Sequence, residues 1–335
     1  MKGLIGDRSP RGGAPMITVA VAAAVLGAAP AAEATFPGER GPIAFQRIVN
    51  PKDEESSQIF SVAGPGARAH RLTSGRNVFS PDYSPDGRQI AFERRGVGPD
   101  TIFTMGADGA TPVRVTACAA VPCLGSSAPA WSPDGNRLVF ERAFGPIVKD
   151  SAAGLDLVTA NADGTAEQLL LHLRSREAEG QEPHDAQWSP DGTRIAVTIL
   201  NITAKPRNGS AIHVLDVDGS NLRQITPMRL NAGNPDWSPD GNRIVFNSSY
   251  EGQALPEIYT VRPDGTRLRR LRREPSESYS FDPVWSPDGG RIALVHGTFD
   301  TLPHIWTMKP NGRRLRQLTQ GPKPDVRPDW GARGK

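Results

Sequence analysis

The sequence predicts an all-β fold built from six similar four-stranded units. The first observation is a repeated motif, an aromatic residue followed by Ser-Pro-Asp-Gly, which occurs five times in full in the 335 residues. The second is its spacing, because the aromatic residues lie 48, 57, 49, 48 and 45 residues apart when a degenerate last copy at Trp330 is counted. The third is a content of 35 Gly and 31 Pro, which is typical of many tight turns.

Each unit contains the signals of four short antiparallel strands. In the unit 130–171, Trp131 ends the first strand, and Ser-Pro-Asp-Gly suits a type I turn into a second strand at 137–140. A third strand is predicted at 156–159, and Ala-Asp-Gly forms another turn before a fourth strand at 167–171. The other units repeat β-branched and aromatic segments between Gly and Pro turn signals.

The strand count indicates a closed ring. Each of the four strand types occurs six times, but the chain enters at a second strand, near Ile43, and leaves at a first strand, near 327–331. We therefore expect the C-terminal strand to complete the N-terminal unit. Four-stranded antiparallel units arranged in a ring are the plan of a β-propeller, here with six blades over residues 35–335.

The first 34 residues have the layout of a secretory signal peptide. Lys2, Arg8 and Arg11 precede an apolar run at 16–29, and two small-residue cleavage sites follow. An uncleaved membrane anchor is the alternative interpretation, but this run of 14 residues is shorter than the roughly 20 that span a bilayer. We expect cleavage after Ala34 and export to the periplasm or the extracellular space, with no stable membrane insertion after cleavage.

The repeat closely resembles that of the TolB-like β-propeller family. The likeness rests on the five Pro-Asp-Gly turns with their preceding aromatic residues and on the Ile-Ala-Phe-type strands after them, over about residues 36–332. The resemblance implies a six-bladed propeller. TolB has an N-terminal α/β domain, and related serine peptidases have a hydrolase domain with a Gly-x-Ser-x-Gly elbow; we expect neither in this sequence.

Charge and cysteine content narrow the possible partners. A net charge of +3 is too small to favour nucleic-acid binding. We expect a protein or cell-envelope partner and a monomeric chain. Arginines are dense on the predicted fourth strands at 267–273 and 313–316, where they either protect an exposed sheet edge or dock to an anionic surface.

In an exported protein, the close pair Cys118 and Cys123 predicts a disulfide.

The candidate site lies at the mouth of the central channel. The turns between first and second strands and between third and fourth strands share one face, and both sets are short. Longer, varied loops at 143–154, 172–185, 201–210 and 250–256 occupy the other face, where binding usually resides. Polar residues that enter the innermost strands there are His184, Asp185, Asn234, Asp282 and Arg327.

Two interpretations of these polar residues remain open. Clustered acids can hold a cation such as Ca²⁺, and the alternative is that they cap turns and bond neighbouring blades. The repeated turn aspartates are interpreted as structural, because they occupy the same place in every blade. The six histidines show no metal-binding spacing, and we expect no cofactor and no other metal site.

The sequence favours a non-catalytic binding scaffold that acts through its long-loop face. No catalytic motif was found in the sequence. The alternatives are a glycan-active lyase or hydrolase with its site in the channel, and a propeller subunit that assists a separate peptidase domain.

Overall fold

The computed structural model describes residues 38–333, apart from 51–52, 76, 97, 119–122, 146–153, 174–179, 203–208 and 250–254 and the side chains of 53–55 and 202. The predicted signal peptide lies outside the described residues. The described chain forms a six-bladed β-propeller of four-stranded antiparallel blades, which confirms the predicted fold class.

Each blade contributes one strand to each of four concentric positions. The innermost strands are β4 (Val78–Tyr83), β8 (Cys123–Trp131), β12 (Gly180–Trp188), β16 (Ala232–Trp237), β20 (Ser278–Trp285) and β24 (Asp325–Ala332). The second strands are β1 (Arg40–Asn50), β5 (Gln89–Gly96), β9 (Arg137–Phe144), β13 (Arg194–Ile202), β17 (Ile244–Ser248) and β21 (Ile292–Thr298).

The outer half of each blade is shorter. The third strands are β2 (Asp53–Val62), β6 (Gly98–Gly106), β10 (Gly154–Asn161), β14 (Ser210–Asp216), β18 (Glu257–Val261) and β22 (Thr301–Met308). The outermost strands are β3 (His70–Arg71), β7 (Val113–Arg114), β11 (Gln168–His172), β15 (Arg223–Gln224), β19 (Arg269–Arg270) and β23 (Arg316–Gln317). One 3₁₀ turn, Met228–Leu230, precedes β16. Because five of the outermost strands have only two residues, they offer little edge for pairing with another chain.

The ring closes through the first blade, as the sequence predicts. Strand β24 pairs antiparallel with β1, which places Trp330 opposite Ile43 and Asp325 opposite Arg47. We number the blades from this one, so that blade 1 contains β24, β1, β2 and β3, and blade 6 contains β20 to β23. Residues 318–324 connect blade 6 to β24 of blade 1, and the two ends of the chain meet inside blade 1, where β24 pairs with β1. We call the interface between blades 6 and 1 the seam.

The motif aromatics fill the interfaces between blades. Trp131 of blade 3 packs with Ala91 and Ile102 of blade 2 as well as with Leu138 of its own blade. The equivalent residues Tyr83, Trp188, Trp237, Trp285 and Trp330 each join a similar buried cluster with the preceding blade. The hydrophobic core is thus divided into six wedges, one for each interface.

The Ser-Pro-Asp-Gly turns share one hydrogen-bond pattern. In each of the five, the Ser hydroxyl donates to the Asp carboxylate at 2.5 to 2.7 Å. The same carboxylate accepts the backbone N–H two residues later. The Gly has a φ of 65° to 69°, in the left-handed region that favours glycine. These aspartates therefore hold turns, as expected.

The rim on the long-loop face differs from prediction in one respect. The segment expected as a loop at 172–185 is shortened, because β11 continues to His172 and β12 already begins at Gly180, which pairs with Ile202. At the same rim, the predicted disulfide joins Cys118 to Cys123, with Cα atoms 5.3 Å apart, at the start of β8. Close by, Gly125 of β8 bridges to Asp100 of β6, which links blades 2 and 3.

Candidate channel-mouth site

A bulge in every innermost strand sets the geometry of the channel wall. Three residues before each motif aromatic, the pairing register shifts and a non-glycine residue adopts a φ of 48° to 53°. These bulged residues are Ser80, Ala128, Asp185, Asn234, Asp282 and Arg327. A bulge redirects the side chain it carries, and here the six residues ring one cavity of about 80 Å³.

Four of the five predicted mouth residues, Asp185, Asn234, Asp282 and Arg327, line this cavity together. The fifth, His184, adjoins Asp185 on β12 and is not among the lining residues. Sequence reasoning selected the four bulged residues with carboxylate, amide or guanidinium side chains and passed over Ser80 and Ala128, whose matching distance from the motif aromatic was the available signal. Whether these residues bind anything stays a prediction.

Arg327 and two carboxylates form the charged centre of the mouth. Its Nη1 lies 3.5 Å from Asp185 Oδ1, and its backbone N–H donates to Asp282 Oδ2 at 3.3 Å. Burial raises the pKa of Asp282 to about 6, although the guanidinium opposes that shift. Burial likewise raises the pKa of Asp185. Burial alone would lower the pKa of Arg327, but the two carboxylates outweigh it and raise that pKa.

Glu141 of blade 3 connects the mouth to His184. Its Oε1 accepts the Asp185 backbone N–H at 2.9 Å, and its Oε2 accepts the Ser127 hydroxyl at 3.1 Å. His184 Nδ1 lies 3.7 Å from Glu141 Oε2, and its Nε2 lies 3.6 Å from Glu182 Oε2. Burial disfavours the imidazolium, but these two carboxylates raise the pKa of His184 to about 10. His184 is therefore a cation at neutral pH.

A second layer of acids lies deeper in the channel. Asp82, Asp236 and Asp329 each stand immediately before a motif aromatic. Each carboxylate accepts the backbone N–H of the motif aromatic in the following blade, at 2.6 to 2.8 Å. Burial raises the pKa of all three, to about 6 for Asp329. Sequence analysis missed these three aspartates, although their position directly before the motif aromatic could have identified them.

The side chains at the channel mouth do not support the interpretation of the mouth as a Ca²⁺ site. Within the described residues, no group of three or more His, Cys, Asp or Glu side chains is arranged to hold a metal ion. The carboxylates that the sequence suggested for such a site, Asp185 and Asp282, face the Arg327 guanidinium instead. The Arg327–Asp282 hydrogen bond joins the neighbouring blades 1 and 6, as in the alternative interpretation, whereas the Arg327–Asp185 contact joins blades 1 and 4 across the channel.

A serine–histidine–glutamate cluster lies in blade 6, where the sequence had not indicated one. The Ser280 hydroxyl donates to Glu274 Oε1 at 2.8 Å and lies 3.0 Å from His296 Nδ1. Ser280 is fully buried, and burial lowers the pKa of His296. A substrate has no access to the hydroxyl, whose proton already points to a carboxylate. The cluster is therefore a buried hydrogen-bond network.

No helix among the described residues is both long enough and apolar enough to cross a bilayer. The described segments are almost entirely strands and turns, with a single 3₁₀ turn.

Comparison with known proteins agrees with this architecture. Residues 172–335 match the family model described as TolB beta propeller domain. The uncharacterized protein Atu1656 of Agrobacterium fabrum is 35% identical over 130 residues, or 38% of this chain. The uncharacterized peptidase YuxL of Bacillus subtilis is 25% identical over 158 residues, or 47% of this chain. The matched regions span 41% and 20% of the lengths of these two relatives.

Among solved structures, TolB from Acinetobacter baumannii superposes with a TM-score of 0.68 at 17% identity, covering 88% of this chain and 68% of that one. At this identity the likeness concerns the fold. Residues 172–335 thus match TolB β-propeller repeats, and the described residues share the fold of the propeller region of TolB.

Proposed function

We propose that this chain is an exported binding module that recognises a protein or another cell-envelope component through its long-loop face and channel mouth. One observation carries the proposal. The six bulged residues share one backbone conformation, yet they present Ser, Ala, Asp, Asn, Asp and Arg side chains. The turns of five of these blades repeat a single motif. A uniform scaffold that displays varied side chains at one rim supports selective recognition.

The size of the mouth favours a macromolecular partner. Its cavity of about 80 Å³ is small beside the roughly 300–1,000 Å³ of most small-molecule pockets. A partner would therefore lie across the rim and insert at most a side chain or a chain end between Arg327 and the acids. Both signs of charge are present there, so the partner needs complementary charges rather than a simple excess of one sign.

The protonation states at the mouth support binding rather than catalysis. His184, with a pKa of about 10, is protonated at neutral pH and cannot accept a proton as a general base. Asp185 and Arg327 lie within ion-pair distance of each other, and Glu141 accepts two hydrogen bonds. A lyase or hydrolase would need a group whose pKa is set near the working pH and which is free to act on substrate. Asp282 meets the first condition, with a pKa of about 6, but its carboxylate already accepts the Arg327 backbone N–H.

The second candidate is a propeller that assists a peptidase. The observation that favours it is the match over 158 residues to the peptidase YuxL. In this case the partner at the long-loop face is a hydrolase domain, and the chain itself guides or restricts access to that domain.

The test is affinity capture from a cell-envelope extract with the mature chain, followed by measurement of affinity for each captured component. Arg327→Gln removes the mouth cation while keeping a polar side chain, and we expect at least tenfold weaker binding, in line with about 1.5–3 kcal/mol for a charged hydrogen bond. The matched control is Asp218→Asn in an exposed turn on the opposite face.

Two further readouts separate the outcomes. Thermal unfolding of both variants shows whether any loss of binding reflects loss of the fold. Equal binding by wild type, Arg327→Gln and Asp218→Asn contradicts recognition at the mouth. Identification of the captured component as a hydrolase favours the peptidase-assisting role, whereas a non-enzymatic envelope protein favours the scaffold.

A further inference from the structure

Arginines at the start of the second strands form a repeated contact between blades on the turn face, the face of the Ser-Pro-Asp-Gly turns. Arg137, Arg194 and Arg243 each place their guanidinium over the motif tryptophan of the following blade. The distances from guanidinium carbon to ring centroid are 5.7, 5.0 and 4.6 Å. Such cation–π contacts satisfy a guanidinium that lies against an apolar interface.

The seam between blades 6 and 1 departs from this pattern. Arg291 occupies the equivalent place in blade 6, but in the described part of the chain it makes no such contact with Trp330. Its Nη1 atom is buried and, again within the described residues, has no hydrogen-bond partner. A buried donor without a partner is costly, so a rotation of this half-buried side chain that brings Nη1 to an acceptor at the surface would be favoured.

Arg40 of blade 1 approaches the same place. Its Nε donates to Asp288 Oδ2 at 2.7 Å. Its Nη2 packs over Gly290, where an added Cβ atom would lie 2.6 Å from it. The corresponding turn position in the other blades carries a side chain, namely Arg88, Asn136, Thr193 or Asn242. Gly290 thus leaves room for the Arg40 guanidinium, whereas a side chain occupies this turn position in the other blades.

Arg316 shares this surface with Arg291. Strand pairing sets Ala293 opposite Thr307 and Thr307 opposite Arg316, so Arg316 extends from the same face of the sheet as Ala293. Arg291, two residues before Ala293, lies on that face as well. The face is the one that packs on blade 1, because Ala293 joins Ile43 and Trp330 in one buried cluster.

The seam cluster, Arg40, Arg291, Arg314 and Arg316, has an excess of positive charge. Burial lowers the pKa of Arg291, and the nearby charges of Arg40, Arg316 and Arg314 lower it further. Asp288 is the carboxylate that opposes them, through its ion pair with Arg40. Arg314 and Arg316 are exposed, and within the described residues they form no ion pair.

We propose that the seam cluster is a binding site for a phosphate group on the turn face, separate from the channel mouth. A phosphate presents several oxygens in a tetrahedral arrangement and can accept from the exposed guanidiniums of Arg40, Arg314 and Arg316 and, once the Arg291 side chain rotates outward, from its Nη1 donor. The planar fork of arginine matches such oxyanions, and several forks converge here. Occupation would also relieve the repulsion among the four cations.

The test is titration of the mature chain with inorganic phosphate at constant ionic strength, followed by calorimetry and by ³¹P NMR. The expected result is saturable binding of one phosphate, weakened at least about tenfold in Arg291→Gln and in the double variant Arg314→Gln/Arg316→Gln. The double variant alters exposed side chains, so it reports binding even if Arg291→Gln fails to fold. Arg313→Gln is the matched control, because it removes one exposed arginine from the same turn.

Equal weakening of phosphate binding by the control variant, or binding that does not saturate, overturns the proposal in favour of general attraction between a basic surface and an anion.

A second experiment identifies the source of the phosphate group. If vesicles containing phosphatidylglycerol displace inorganic phosphate, while phosphatidylcholine vesicles do not, a lipid headgroup can occupy the site. If phosphatidylglycerol vesicles fail to displace it, the site takes soluble phosphate compounds.

Discussion

The seam between blades 6 and 1 has two charged ends, and they are built in opposite ways. At the long-loop end, the fully buried Asp325 accepts from Arg47 Nε at 2.6 Å and from Arg47 Nη2 at 2.9 Å, and it lies 3.2 Å from His304 Nδ1. At the turn end, the four arginines of the seam cluster face Asp288 as their opposing carboxylate.

The difference reflects access to water. A charge that is buried must be compensated by the protein itself, because the cost of removing it from water is otherwise too large. At the turn end Arg40, Arg314 and Arg316 are exposed and Arg291 is half-buried, so like charges can remain together at small cost and the exposed guanidiniums stay available to a ligand. The buried end therefore closes the ring, and the exposed end offers an uncompensated charge.

The largest expected effect is on the buried end. Replacement Asp325→Ala leaves the Arg47 guanidinium, whose side chain is 17% exposed, without its bidentate partner. We expect the free energy of unfolding to fall by about 3–5 kcal/mol, as for other broken buried pairs. Urea unfolding measures this. At the exposed end, Arg40→Ala breaks a solvent-screened pair and should cost no more than about 1 kcal/mol. Equal losses in the two variants would contradict the comparison.

The next effect is a pH dependence of opposite sign in two carboxylates near the seam. Burial raises the pKa of Asp329 to about 6, above the roughly 3.9 of an unfolded chain. Stability that depends on its protonated form is complete below about pH 4 and is lost as pH rises through 6. Asp329→Asn should flatten this part of the stability curve, by roughly 1–3 kcal/mol between pH 4 and 7. Identical slopes for the two proteins would refute the assignment.

Asp288 provides the contrast for that measurement. Burial would raise its pKa, but hydrogen bonds from Arg40 and Ser286 outweigh it and lower the pKa to about 2. Its contribution is complete above about pH 4 and is lost as pH falls through 2. Wild type and Asp288→Asn should therefore differ by a constant amount above pH 4 and converge in stronger acid.

The smallest effect concerns like-charge repulsion in the seam cluster. Arg316→Glu replaces one of four cations with an anion on an exposed strand, so we expect a gain of about 0.2–1 kcal/mol at low salt. Added salt should abolish the gain, because the Debye length falls to about 3 Å at 1 M. A loss of stability at low salt would show that Arg316 has a favourable partner.

Much of the fold was predictable from residues that recur. The motif aromatic, the Ser-Pro-Asp-Gly turn and the strand after it are local signals, so blade number, strand order and closure by β24 follow from their spacing. Mouth residues such as Asp282 were predictable because they lie in the innermost strand, three residues before the motif aromatic. The loop at 172–185 was predicted too long, since the pairing of Gly180 with Ile202 is a contact between distant residues.

The charged clusters depend on contacts that the repeat does not encode. Arg40 and Asp288 are 248 positions apart, and Arg47 and Asp325 are 278 apart, so only closure of the ring brings them together. Glycine at position 290 looks like ordinary variation in a turn until Arg40 is placed over it.

The sequence by itself therefore determined the architecture: six blades, their turns, the aromatic wedges between them and the strand that closes the ring. These are set by short-range turn geometry and by burial of apolar residues, both of which repeat along the chain. The tertiary structure alone decided which charges are compensated and which are not. Electrostatic balance depends on distance and on access to water, and both are settled only when the last blade meets the first.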